Sequence, residues 1–98
     1  MNIEDFIPEG AESPVTAKEL RQRTGADVRV ITAAIQARRR AGVPICARRD
    51  ENPGYFIAET SEELQAYCKR LKHEEAELRK TRKACEKLIT KFPEGGGE

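Results

Sequence analysis

From Ser61 to Phe92 the chain runs for 32 residues without a glycine or a proline. Thr60 or Ser61 offers a hydroxyl to cap a helix at its start, and Glu62 and Glu63 complement the dipole of its first turn. At 1.5 Å per residue such a helix reaches about 48 Å. That is too long to pack wholly against the small domain the rest of a 98-residue chain can form.

The apolar pattern of this segment has a period of seven: Leu64, Leu71, Leu78, Cys85 and Phe92, with Tyr67 and Leu88 three residues after the first and fourth. A seven-residue repeat is the pattern of a left-handed coiled coil, so these residues are expected to make the protein a homodimer or higher oligomer. Glu74 and Thr81 occupy the companion positions between and weaken the seam. One amphipathic helix packed along its own domain is the alternative explanation of the same stripe.

The remaining residues hold one small domain. Hydrophobic residues make up 38% of the chain and charged residues 36%, so the core is modest and much polar helix surface is exposed. The net charge of +1 conceals an uneven distribution. Residues 17 to 49 contain nine bases (Lys18, Arg21, Arg23, Arg29, Arg38, Arg39, Arg40, Arg48, Arg49) against Glu19 and Asp27, a local excess of +7. A confined positive field of this kind suits a phosphate-binding face; a solvated Arg-rich helix gives the same composition.

Residues 1 to 15 carry acids, two prolines (Pro8, Pro14) and a few apolar residues (Ile3, Phe6, Ile7, Val15), which predicts an extended arm with one helical turn whose apolar residues could dock on the core. Thr16 and Glu19 then form a Thr-x-x-Glu capping box. It opens a short helix from Ala17 to about Arg23, with Ala17 and Leu20 facing inward. Gly25 allows the left-handed end of this helix, and Asp27 caps the next, whose Val28, Ile31 and Ile35 repeat at helical spacing and are expected in the core. Gly42 and Pro44 stop it. Two short helices joined by a glycine-containing turn make a helix-turn-helix.

VPICARR and GYFIA follow, two runs of strand formers separated by DENPG, which predicts a β-hairpin with a small wing at its tip. Phe56 is expected to be exposed. The fold class is therefore mainly α with a small β-hairpin, divided into an arm (1–15), a helix-turn-helix with wing (16–59), a long oligomerisation helix (60–92) and a disordered tail (93–98).

Cys46, Cys68 and Cys85 are odd in number and widely spaced, so neither a disulfide framework nor a metal site is expected; they fit packing residues in a reducing compartment. The N-terminus lacks a basic start followed by an apolar run, and no stretch of about 18 apolar residues occurs, so a cytoplasmic protein without membrane contact is expected. Catalysis has little to stand on. His73 is the only histidine and lies in a charged helix beside Glu74 and Glu75, with no glycine-rich phosphate loop. No cofactor and no small-molecule substrate are expected.

The run from Thr16 to Ile57, with its capped helix, Gly turn, basic helix ending in Gly42-Val43 and hairpin closing with Gly54-Tyr55, resembles the winged helix-turn-helix DNA-binding domain at the N-terminus of biotin operon repressors. The chain departs from that pattern twice. No helix precedes Thr16 to complete a three-helix core, so the arm or the long helix must cover that surface. Arg38 stands where a buried leucine is expected; its alkyl stem would cover the core edge while its charge reaches water. The whole layout, an FIPEG arm, a winged helix ending GYFI and a charged C-terminal helix, is similar to small proteins of prophages and mobile elements in Gram-positive bacteria.

The resemblance implies that the second helix enters the major groove of double-stranded DNA. Arg29, Thr32 and Gln36 then face base edges, with Arg29 suited to guanine and Gln36 to adenine. Arg39 and Arg40, Arg48 and Arg49 in the wing, and Lys18 and Arg21 in the first helix are candidates for phosphate contacts. Six such contacts would give a slope of log affinity against log salt of roughly −5. The function implied is that of a regulator, or a replication or excision factor of a mobile element. The alternative is an assembly adaptor that uses a winged helix as scaffold, because one fold serves both purposes.

Overall fold

The computed structural model describes residues 2–92. A 3₁₀ turn at Ile3–Phe6 is followed by α1 (Ala17–Thr24), α2 (Val28–Arg40), β1 (Ile45–Arg48), β2 (Gly54–Ile57) and α3 (Ser61–Ile89). The protein is mainly α with one two-stranded antiparallel hairpin and a long C-terminal helix. This order of elements is compatible with a winged helix-turn-helix. The chain divides into two compact units, Met1–Tyr67 and Cys68–Glu98, so the boundary falls inside α3.

Local chemistry accounts for the helix ends. The Thr16 hydroxyl accepts from the Glu19 amide at 3.1 Å while the Glu19 carboxylate accepts from the Thr16 amide at 2.8 Å, closing the expected capping box. Gly25 ends α1 at φ 76°, in the left-handed region, and its amide donates to the Arg21 carbonyl. Asp27 caps α2 through the Val30 amide at 3.1 Å. At the start of α3 the Thr60 hydroxyl accepts from the Glu63 amide at 3.1 Å, so of the two expected candidates Thr60 supplies the cap.

Leu20, Ile31, Ile35 and Ile45 form the core together with three residues of the arm, Ile3, Ile7 and Val15. The arm therefore covers the surface that lacks a preceding helix: its 3₁₀ turn packs against α2. It also lines the sheet. Gly10 and Pro8 exchange backbone hydrogen bonds with Ile57 at 2.8 Å each, and Val15 exchanges two with Tyr55 at 2.9 and 2.7 Å. β2 thus lies between β1 on one side and the arm on the other.

Two expectations about burial are corrected. Val28 was expected to hold α2 on the core but is 48% exposed. It occupies the first turn, where the helix has only begun to approach the core, and Ile31, Ile35 and half-buried Ala34 carry the packing. Phe56 was expected to be exposed but is 4% exposed. In the register Ile45↔Ile57, Cys46↔Phe56, Ala47↔Tyr55, the pair Cys46 and Phe56 points away from Ile45 and Ile57. Both are buried, so both faces of the hairpin are covered.

Of the three cysteines only Cys46 packs in the interior; Cys68 and Cys85 are exposed in the single chain, which corrects their expected role as packing residues. No helix among the described residues is long and apolar enough to cross a membrane. The tail expected from residue 93 to 98 lies outside the described residues.

Candidate nucleic-acid interface

The second helix reads VRVITAAIQARRR and contains no acid. With Ile31 and Ile35 turned into the core, helical geometry places Arg29, Ala33, Gln36 and Arg40 along the opposite face. All four are exposed, as is Thr32 beside them. Lys18 and Arg21 of α1 are exposed too, as is Arg49 at the end of the hairpin. Both acids of this basic region are occupied in helix capping: Glu19 belongs to the box with Thr16, and Asp27 receives the Val30 amide. The Thr16 amide, as the main cause, holds the Glu19 carboxyl below the ordinary range, keeping it an anion committed to the cap.

Arg39 and Arg48, both expected phosphate ligands, make intramolecular contacts. Arg39 is half-buried, donates from Nε to the Ile45 carbonyl at 2.8 Å, and sets its guanidinium 5.4 Å from the centre of the Tyr67 ring. The latter contact joins α2 to the first turns of α3, within the unit that ends at Tyr67. Arg48 grips Asp50 with Nε on Oδ1 at 3.1 Å and Nη2 on Oδ2 at 2.7 Å, and its Nη1 donates to the Ala11 carbonyl at 2.6 Å. The Asp50 carboxyl is depressed chiefly by that guanidinium. Asn52 at the wing tip adds a bond from Nδ2 to the Glu12 carbonyl at 3.0 Å, so the arm is tied to the wing at two points.

Arg38 has a partner that sequence alone did not suggest. Its charge pairs with Glu4 of the 3₁₀ turn while the side chain stays partly exposed: Nε lies 3.0 and 3.1 Å from the two carboxylate oxygens, and Nη2 lies 2.9 Å from Oε2. Glu63, expected only to complement the dipole of the long helix, also reaches the arm. Its carboxylate accepts from the Glu59 amide at 2.7 Å and the Ala11 amide at 3.1 Å, linking the arm to the start of α3.

Of the residues expected to mediate self-association, Tyr67 is half-buried beneath Arg39. Leu64, Leu71, Leu78, Cys85, Leu88 and Phe92 are all exposed, and Ile89 joins them. Among the described residues no three His, Cys, Asp or Glu side chains gather as a metal site would require. No protein-family profile, curated protein or solved structure matches the chain.

Proposed function

We propose that this chain is a DNA-binding protein of the winged-helix type that acts as an oligomer held by α3. The acid-free face of α2 carries this reading: Arg29, Thr32, Gln36 and Arg40 stand exposed on a helix whose other side is fixed to the core by Ile31 and Ile35. In the groove, Arg29 and Gln36 would face base edges, while Arg40, Lys18, Arg21 and Arg49 would reach phosphates. Arg39 and Arg48 would contribute field from their intramolecular positions. A single unit of this size covers few base pairs, so two copies would be needed for a specific site. A regulator, or a replication or excision factor of a mobile element, is the role that fits.

A second reading is favoured by one observation: Val30, 49% exposed, stands on one flank of α2 with the small, exposed Ala33 and Ala37. An assembly adaptor would use such a face to dock another protein.

Fluorescence anisotropy against random-sequence duplex DNA at two salt concentrations separates the two. DNA binding predicts a slope of log affinity against log salt of about −4, with Arg21→Ala and Arg40→Ala each making it shallower by about one. Arg38 stays unmodified in this experiment, because its loss would disturb the arm. Absence of binding at low salt leaves the adaptor in place of the DNA-binding reading.

A further inference from the structure

We infer that the segment of α3 beyond Cys68 pairs with the same segment of a second copy in antiparallel orientation. This rests on the self-association proposed above and adds its geometry. The surface available is a stripe along one helix: Leu71, Leu78, Cys85 and Leu88, with Leu78 70% exposed. An apolar row of this kind on a charged helix calls for a cover, and the charges select which.

The charge along α3 is polarised. Between Cys68 and Glu77 three glutamates, all after His73, balance three bases, all before it; between Arg79 and Lys91 there are six bases and one acid, Glu86. The change of sign falls at Leu78, with Glu74, Glu75 and Glu77 before it and Arg79, Lys80, Arg82 and Lys83 after it. Two copies laid antiparallel and crossing near Leu78 place each acidic stretch against the partner's basic stretch.

A parallel pair in register has its own attractions. With Leu71 and Leu78 in the seam, Arg70 would flank the partner's Glu75, and Glu77 the partner's Arg82. These are surface pairs, and each weakens readily in salt. Against them stand two penalties. The companion seam position would bring Glu74, held in each helix by Arg70, against its own copy, so like charges would face each other across the seam. The basic C-terminal halves would also lie side by side.

Antiparallel pairing removes both penalties. Arg70 holds Glu74 at 3.2 Å and Arg82 holds Glu86 at 2.8 Å within each helix. The two pairs lie on either side of Leu78 with their signs in opposite order: eight residues before it Arg70 and four before it Glu74, four after it Arg82 and eight after it Glu86. Reversing the second helix therefore brings each copy's Glu74 level with the partner's Arg82 along the axis, and Arg70 level with Glu86.

The exposed thiols of the native chain report orientation directly. Along one helix Cys68 and Cys85 are roughly 26 Å apart, beyond the reach of a short dimaleimide. Sedimentation equilibrium is expected to show self-association of the full chain, and the dimaleimide to give a covalent dimer whose linked peptides join Cys68 of one copy to Cys85 of the other. A dimer linked only Cys68 to Cys68 or Cys85 to Cys85 overturns the antiparallel arrangement and leaves self-association standing. A sedimenting dimer that does not cross-link overturns pairing through this segment, and a monomer at all concentrations overturns self-association itself.

A charge swap gives an independent readout. The combined Glu74→Lys, Glu75→Lys, Glu77→Lys variant is expected to dissociate about tenfold more readily. Adding Arg79→Glu, Arg82→Glu and Lys83→Glu is expected to restore association. Failure of the second set to rescue the first counts against the antiparallel arrangement.

Discussion

Arg38 and Glu4, 34 residues apart in sequence, meet in a two-nitrogen, two-oxygen ion pair with separations of 2.9 to 3.1 Å. The pair fastens the 3₁₀ turn of the arm to the helix proposed to enter DNA. A substitution at Arg38 therefore acts on the seating of the arm before it acts on any ligand. Glu4→Gln and Arg38→Met are each expected to lower the thermal midpoint followed by circular dichroism. Because both remove one interaction, the double variant should lose less than the two single losses combined. Strict additivity would show that the pair contributes nothing as a pair.

Acid should loosen the same region. Glu4 is held below the ordinary carboxylate range chiefly by the Arg38 hydrogen bond, and Glu63 chiefly by the Glu59 amide, with Ala11 adding to it. A carboxyl whose folded value is depressed binds its proton more readily once unfolded, so its contribution is fully present above the ordinary range. It is lost as pH falls through about 4 toward the folded value. Chemical denaturation at pH 7 and at about pH 3 should show this loss. Glu63→Gln should make the acid dependence shallower; an unchanged pH profile would remove Glu63 from the account.

Val28 and Ile35 belong to one periodic row in sequence yet should respond very differently to truncation. Ile35 is 2% exposed, and Ile35→Ala is expected to cost about 2 to 4 kcal/mol. Val28→Ala should change stability by less than about 0.5 kcal/mol. Urea titrations of the two variants measure both, and a large loss at Val28 would contradict its exposed placement.

Gly54 is constrained by the arm. Its φ is 143°, and a Cβ there would come 2.7 Å from the Val15 carbonyl oxygen, a backbone atom fixed by its bond to Tyr55. Gly54→Ala should therefore destabilise by about 2 kcal/mol or more and raise the amide hydrogen exchange of Val15 and Tyr55. Normal protection of those two amides in the variant would mean that the arm can shift without cost.

The elements legible in sequence were those with local chemistry. Thr16 with Glu19, Gly25, Asp27 and the Gly42-Pro44 stop each act within a few residues, and the helix boundaries they imply match α1 and α2 to within about one residue. The hairpin followed in the same way from DENPG. What remained hidden depends on partners far along the chain. Backbone hydrogen bonds between β2 and Pro8, Gly10 and Val15 leave no side-chain signature, so the arm could be expected to dock but not to extend the sheet. The Glu4–Arg38 pair joins two residues that are individually unremarkable surface types. Phe56 lies on the alternate face of a strand, and strand alternation alone does not say whether that face is covered. Within the candidate interface, periodicity identified Arg29, Thr32 and Gln36 as outward-facing. It had no means of showing that the Ile45 carbonyl and Asp50 would engage Arg39 and Arg48.

The seating of β2 bears on how such a chain behaves at high concentration. A strand with an open edge is a template on which other molecules can stack, and proteins with exposed edges must guard against fibrous growth. Here one edge of β2 is filled by β1 and the other by Pro8, Gly10 and Val15. The Ile45 carbonyl of β1 is covered by the Arg39 guanidinium. Release of the arm would reopen that edge to pairing with a strand of another molecule.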